Sequence, residues 1–321
     1  MKAIILPRYG SPDVLELREV EKPVPTEGRV VVKVHASSVN PVDFHGMRGG
    51  MVRFLGQGLR GPKESRFGSD FAGVVEAVGS GVKRLKPGDE VFGVCPGGFA
   101  EYASAREDRV ALKPSGVTFE EAAAVPVAGI TALQALRDRG RIRAGQRVLI
   151  NGASGGVGTF AVQIAKSFGA EVTAVCSTRK LDQARSIGAD YVLDYTKEDF
   201  TSNGQRYDLI CDVASSRSVL GYGRSLKPGG TCVIVGFSSR LFLRLFGVLI
   251  LGPLASRGGK KVGFMGIAKV TPEDLSVLAG LLRARKVVPV IEKSYPLAEV
   301  PEAIRYLEEG HASGKIVINV D

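Results

Sequence analysis

Between the apolar run Arg147-Val148-Leu149-Ile150 and the stretch Thr159-Phe160-Ala161-Val162-Gln163-Ile164-Ala165-Lys166 lies the turn Asn151-Gly152-Ala153-Ser154-Gly155-Gly156-Val157-Gly158. Small residues at Ala153, Gly155 and Gly158 stand at the three glycine positions of a dinucleotide fingerprint. That fingerprint needs a tight strand-to-helix turn, close approach of pyrophosphate to the backbone, and close packing of helix on strand. The amides that open the helix then face the anion. Glycine also collects in loops that bind nothing, simply to supply positive φ. Here an apolar strand precedes, an amphipathic helix follows, and a second strand-like run, Glu171-Val172-Thr173-Ala174-Val175-Cys176, arrives at the spacing that the binding reading requires.

The residues after that second run discriminate between cofactors. An NAD site places Asp or Glu at the strand end, where the carboxylate accepts hydrogen bonds from the ribose 2′-hydroxyl. This chain has Cys176-Ser177-Thr178-Arg179-Lys180 there. Hydroxyls followed by guanidinium and ammonium suit a 2′-phosphate, which a carboxylate would repel, so NADPH is expected over NADH. The alternative is that Arg179 and Lys180 only decorate an exposed helix start, although cations at that end oppose the helix dipole.

These motifs need a scaffold. The first third reads as strands: Gly28 to Ala36 and Ala72 to Gly79 are β-branched runs bounded by Gly and Pro, and Lys86-Pro87-Gly88-Asp89 signals a turn before Glu90-Val91-Phe92-Gly93. A small antiparallel barrel is expected. From about Phe119, helices alternate with strands near 147–151, 171–176, 191–194, 208–213 and 231–235, the pattern of a doubly wound parallel α/β sheet. Val213 and Ala214, and Gly236 and Phe237, fall at carboxyl ends of later strands, where such sheets bind ligands. A further strand is expected at Lys260 to Ile267, a helix from Thr271-Pro272-Glu273, and a last strand at Gly314 to Val320 that returns to the first domain.

The 321 residues exceed one ordinary domain and predict two cores. The net charge is +10, but Lys and Arg are scattered, so no nucleic-acid partner is expected and an anionic cofactor accounts for part of the excess. Cys95, Cys176, Cys211 and Cys232 follow no ligand spacing and read as free thiols in a reducing compartment. His35, His45 and His311 form no metal cluster with them. The start of the chain shows no secretory pattern, and a cytoplasmic location is expected. The segment Leu241 to Leu254, strongly apolar but interrupted by Arg244, is short for a membrane span; a lid or subunit contact is favoured, with peripheral membrane contact as the alternative.

Taken together, Ser38-Val39-Asn40-Pro41-Val42-Asp43, Gly68-Ser69-Asp70-Phe71-Ala72-Gly73, Gly97-Gly98-Phe99-Ala100-Glu101-Tyr102, Val125-Pro126-Val127-Ala128-Gly129-Ile130-Thr131-Ala132 and the glycine turn resemble the medium-chain dehydrogenase/reductase superfamily, and within it the zinc-independent quinone oxidoreductases. The resemblance covers essentially the whole chain. It implies a Rossmann NADP-binding domain at 124–267 and a GroES-like, β-barrel-type substrate domain from 1–123 and 268–321, with nicotinamide and acceptor in the cleft between them. Zinc members of the superfamily carry Cys where this chain has Asn40 and Gly-His-Glu where it has Gly68-Ser69-Asp70. Neither Asn nor Ser is a normal zinc ligand, so no metal is expected.

The resemblance implies hydride transfer from NADPH to a quinone or α,β-unsaturated carbonyl, whose developing oxyanion needs only hydrogen-bond donors. It places Asn40 in the substrate pocket as such a donor, with bracing of the turn before Pro41 as its alternative role. Asp43 is expected to orient Asn40 or a water, or to serve structure alone. His45 is a candidate proton donor, because imidazole titrates near neutral pH. Relatives carry a Tyr where alignment puts Met51, so protonation from bulk water is an open alternative. Thr131 is implied beside the nicotinamide, Ser177, Arg179, Lys180 and Tyr195 around the adenosine phosphate, and Lys315 over the cofactor. A homodimer through the strand near 261–267 is implied as well. Rival readings are an enoyl thioester or alkenal reductase, or a non-catalytic NADPH-binding sensor or scaffold.

Overall fold

The computed structural model describes residues 1–49, 62, 65–236 and 250–320. Strands β1 (Lys2–Ile5), β2 (Glu16–Glu19), β3 (Arg29–Val39), β4 (Asp70–Val78), β5 (Glu90–Val94), β6 (Tyr102–Arg106) and β7 (Val110–Leu112) come first. They are followed by β8 (Arg147–Asn151), β9 (Glu171–Cys176), β10 (Tyr191–Asp194), β11 (Tyr207–Asp212), β12 (Leu226–Ile234), β13 (Lys261–Phe264), β14 (Ile291–Pro296) and β15 (Lys315–Asn319). Two compact units result: Met1–Ile130 with Val270–Asp321, and Thr131–Lys269.

In the first unit the order β14-β15-β3-β4-β5-β7 makes a seven-stranded sheet, with β6 also paired to β3. The β-branched run Val30, Val32 and Val34 explains the central place of β3: alternate residues point to one face and pack with Phe71, Val75 and Val91 in a buried cluster. The last strand does return to the start of the chain, pairing antiparallel with β3 from Ile316 opposite Val39 to Asn319 opposite Ala36. A second cluster, including Ile4, Val39, Met47, Ile304 and Ile318, packs the helix Val300–Glu308 on these strands. The helix Pro272–Arg283 begins as its sequence predicts, with Thr271 Oγ1 accepting from the Asp274 amide at 3.2 Å.

The second unit is a six-stranded parallel sheet in the order β10-β9-β8-β11-β12-β13. The strand order reverses between β8 and β11, and in open sheets of this kind ligands bind beyond the carboxyl ends of the strands at that switch point. Its core gathers Leu149, Val175, Ile210, Tyr222 and Ile234. The last strand is shorter than its sequence suggests, ending at Phe264; Gly266 follows at φ +81° and Ile267 is exposed. Residues 250–255 are helical and carry exposed Ile250, Leu251 and Leu254, whereas 241–249 of the apolar segment lie outside the described residues. Among the described residues no helix is long and apolar enough to cross a membrane.

Candidate active site

The glycine turn has the geometry of a dinucleotide cradle. Gly152 turns the chain at φ +77° directly after β8, and Gly155 caps the helix Gly156–Ser167. A Cβ on Gly158 would sit 2.0 Å from the Gly152 carbonyl oxygen, so the helix reaches the strand only because Gly158 has no side chain. The first helical amides, around Gly156, Val157 and Gly158, have no intrahelical acceptor and are available to an anion. Ala153 and Ser154 are buried inside the turn, and the amides of Gly152 and Ala153 both donate to the Val175 carbonyl at 3.1 Å. These residues fit a dinucleotide pyrophosphate.

The neighbouring strand ends are laced to this turn. Asn151 Nδ2 donates to Asp212 Oδ1 at 2.7 Å, the Val213 amide to the Asn151 carbonyl at 3.0 Å, and the Ser215 amide to the Gly236 carbonyl at 3.1 Å. Asp212 is completely buried, and burial raises its carboxyl above the usual carboxylate range. Ala214 packs against Gly152, whose added Cβ would meet the Ala214 Cβ at 2.9 Å. Val213, Ala214 and Gly236 therefore stand in the same region as the glycine turn; Phe237 lies outside the described residues.

Strand β9 ends in Cys176 with no carboxylate of its own at that end. Ser177, Thr178, Arg179 and Lys180 form a single tight turn there, with the Lys180 amide donating to the Ser177 carbonyl at 2.9 Å. Arg179 is exposed and makes no ion pair or hydrogen bond among the described residues, leaving its guanidinium available for an anion. Tyr195, half exposed, is held beside the turn by its amide, which donates to the Cys176 carbonyl at 3.1 Å. The four cysteines are free and buried.

In the first unit the predicted residues Asn40, Asp43 and Lys315 come together, joined by three that the sequence did not single out as site residues: Ser38, Ser69 and Asp70. Lys315 Nζ lies 2.6 Å from Asn40 Oδ1, 3.3 Å from the Val39 carbonyl and 3.6 Å from Asp70 Oδ2. Asn40 Nδ2 donates to Asp70 Oδ2 at 2.8 Å and to the Ser38 carbonyl at 3.2 Å. Asp70 also accepts from Ser38 Oγ at 2.7 Å and from the Val127 amide at 3.0 Å. Burial raises the Asp70 carboxyl and lowers the Lys315 ammonium, each opposed by the charge of the other. Asp43 accepts from the Asn40 amide at 2.8 Å and from Ser69 Oγ at 2.7 Å, yet burial pushes its carboxyl up to about 7.

Both amide hydrogens of Asn40 and its oxygen are committed inside the protein, and its side chain is buried. These contacts tie Asn40 to Ser38 of β3, Asp70 of β4 and Lys315 of β15. Lys315 is likewise buried on Asn40 and Asp70. His45 is on the outer side of the helix Pro41–Arg48, 4.3 Å from the Phe44 ring; partial desolvation lowers its imidazole below the usual value. Thr131 is half-buried in the helix Pro126–Gln134. Among the described residues no group of three or more His, Cys, Asp or Glu could hold a metal ion. The amide and hydroxyl at Asn40 and Ser69 do not fit a zinc site.

Residues 26–115 match the alcohol dehydrogenase GroES-like domain family, and residues 187–318 match the zinc-binding dehydrogenase family. The 2-methylene-furan-3-one reductase of Solanum lycopersicum is 37% identical over 99% of this chain and 79% of its own. The solved quinone oxidoreductase of Coxiella burnetii superposes with a TM-score of 0.87 at 30% identity, covering 100% of this chain and 99% of that one. The Escherichia coli quinone oxidoreductase complexed with NADPH gives 0.83 at 26% identity, covering 100% of both chains.

Proposed function

Because the chain belongs to the medium-chain dehydrogenase/reductase superfamily, among its quinone oxidoreductase-like members, we propose that it reduces a quinone or an α,β-unsaturated carbonyl with NADPH and without zinc. It is an NADPH-dependent oxidoreductase. The observation that carries the cofactor choice is the exposed Arg179, unpaired among the described residues, at the end of a strand that lacks the terminal carboxylate of an NAD site.

When bound, NADPH supplies the hydride that the acceptor receives. The chain's own part is to hold and orient. The helix-opening amides around Gly156, Val157 and Gly158 would hold the pyrophosphate, and Ser177, Arg179, Lys180 and Tyr195 would hold the adenosine phosphate. The Asn40–Asp70–Lys315 network fixes the segment that carries Asp43 and His45. Partial desolvation lowers the His45 imidazole and its side chain lies on the exposed side of its helix, so the proton for the product is assigned to water. Zinc independence is supported by the donor set at Asn40 and Ser69. A homodimer is part of the same proposal, supported by β13 at the sheet edge, which ends in exposed Phe264 with exposed Ile267 just beyond it. A cytoplasmic location is supported by the four free cysteines.

The experiment is a panel of a quinone, an enone and an enoyl thioester, each supplied with NADPH deuterated at the transferable position. Deuterium on the β-carbon of the enone product, or NADPH consumed in proportion to quinone reduced, is the expected result. Turnover confined to the enoyl thioester would replace this reading with the thioester reductase. Tight NADPH binding with no turnover on any acceptor would favour the sensor.

A further inference from the structure

Asp194 was not among the residues that the sequence marked for the cofactor, yet it is tied to the turn assigned to the 2′-phosphate. It ends β10 directly opposite Cys176, the end of β9. Thr178 Oγ1 donates to its Oδ2, while Oδ1 accepts from the Thr196 amide at 3.0 Å and the Thr196 hydroxyl at 2.7 Å. The Lys197 ammonium stands 3.8 Å from Oδ2. These hydrogen bonds, Thr178's first, hold the carboxyl below its ordinary range, so it stays ionised.

We propose that Asp194 and Thr178 form a strap that sets the 2′-phosphate specificity of this protein, an inference that rests on the NADPH reading. Thr178 is the first residue of the one-turn segment Thr178–Lys180, and anchoring its hydroxyl fixes the backbone on which Arg179 and Lys180 are mounted. In an NAD site a carboxylate at the end of the second strand meets the ribose directly. Here the carboxylate is one strand over, is 7% exposed, and turns both oxygens to threonines instead of a ligand. Two effects oppose each other: a fixed turn favours the phosphate, and a nearby anion repels it. Three hydrogen-bond donors and Lys197 already engage the carboxylate charge, so the fixed turn is the larger effect.

The test is calorimetric titration of the full chain with adenosine 2′,5′-bisphosphate and with 5′-AMP, comparing the unaltered protein with Thr178→Val, Thr178→Ser and Asp194→Ala. Thr178→Val and Asp194→Ala are expected to weaken the bisphosphate about tenfold, the effect of one charge-assisted hydrogen bond, with 5′-AMP unchanged and Thr178→Ser restoring the affinity. Undiminished bisphosphate affinity in Thr178→Val, or tighter binding in Asp194→Ala, would overturn the strap. So would an equal loss of both ligands, because the pair would then hold the domain and not the phosphate site. If Asp194→Ala fails to fold, the two Thr178 variants decide. An unaltered protein that does not distinguish the two ligands would overturn the NADPH reading itself, and the strap with it.

Discussion

The Lys315 ammonium nitrogen lies 2.6 Å from Asn40 Oδ1, joining residues 275 positions apart through the antiparallel pairing of the last strand with the third. The contact converts Asn40 from a free amide donor into a fixed hub whose other hydrogen bonds run to Asp70 and Ser38. Lys315→Met would leave the Asp70 carboxylate buried without a counter-charge. Removing one partner of a buried pair costs about 3–5 kcal/mol, and urea unfolding of the variant should show a loss of that order. A loss below about 1 kcal/mol, the range of an exposed pair, would mean that Asp70 is neutral in the folded protein.

Asp43 gives stability a pH dependence of definite sign. Its carboxyl is pushed up to about 7 in the folded protein from an ordinary value of 3.8, so between those values the folded state binds a proton that the unfolded state has lost. Stability from this group therefore falls as pH rises from about 4 to about 7 and is level above that. Asp43→Asn removes the titration. The variant's stability relative to the unaltered protein should improve between pH 5 and pH 8, measured by denaturant midpoints, and an unchanged difference would show that Asp43 titrates in its ordinary range.

Gly158 and Gly155 should behave oppositely although both belong to one motif. A Cβ at Gly158 would meet the Gly152 carbonyl at 2.0 Å, whereas at Gly155 the nearest atom is 3.6 Å away. Gly158→Ala should abolish NADPH binding by forcing helix and strand apart. Gly155→Ala, read by the same fluorescence titration, should retain a folded cradle and measurable binding.

How much of this was legible in the sequence follows from how local each pattern is. The turn Gly152 to Gly158 and the strand Glu171–Cys176 are written in consecutive residues, so cradle and flanking strands could be read directly. Asn40 was legible as a candidate, but its partners were not, because Lys315 reaches it through strand pairing at the far end of the chain. Asp70 stood within a recognised motif; nothing in the spacing said that its carboxylate is fully buried, accepts from three groups and pairs with Lys315. Asp194 closes the strand read near 191–194, and nothing in that strand's sequence pairs its carboxylate with Thr178, 16 positions earlier.

Arg179→Ala should raise the dissociation constant for NADPH by about tenfold to a hundredfold, the loss of a charge-assisted phosphate contact of about 1.5–3 kcal/mol, while NADH binding stays level. Equal weakening of both cofactors would place Arg179 away from the 2′-position.

His45→Gln tests the source of the proton. Loss of a general acid costs about a hundredfold or more in rate. With water as donor, kcat for the enone should remain within about twofold of the unaltered enzyme, a span well short of that loss. A hundredfold fall with cofactor affinity intact would assign the proton to His45.

The central claim is that this chain reduces its acceptor from NADPH without a metal ion. The most direct measurement is NADPH oxidation, with NADH in parallel, by protein dialysed against chelator and assayed for residual zinc, using a quinone and an enone as acceptors. Turnover that is unchanged by metal removal and faster with NADPH is the predicted result. Activity that disappears on chelation and returns with added zinc would contradict the account.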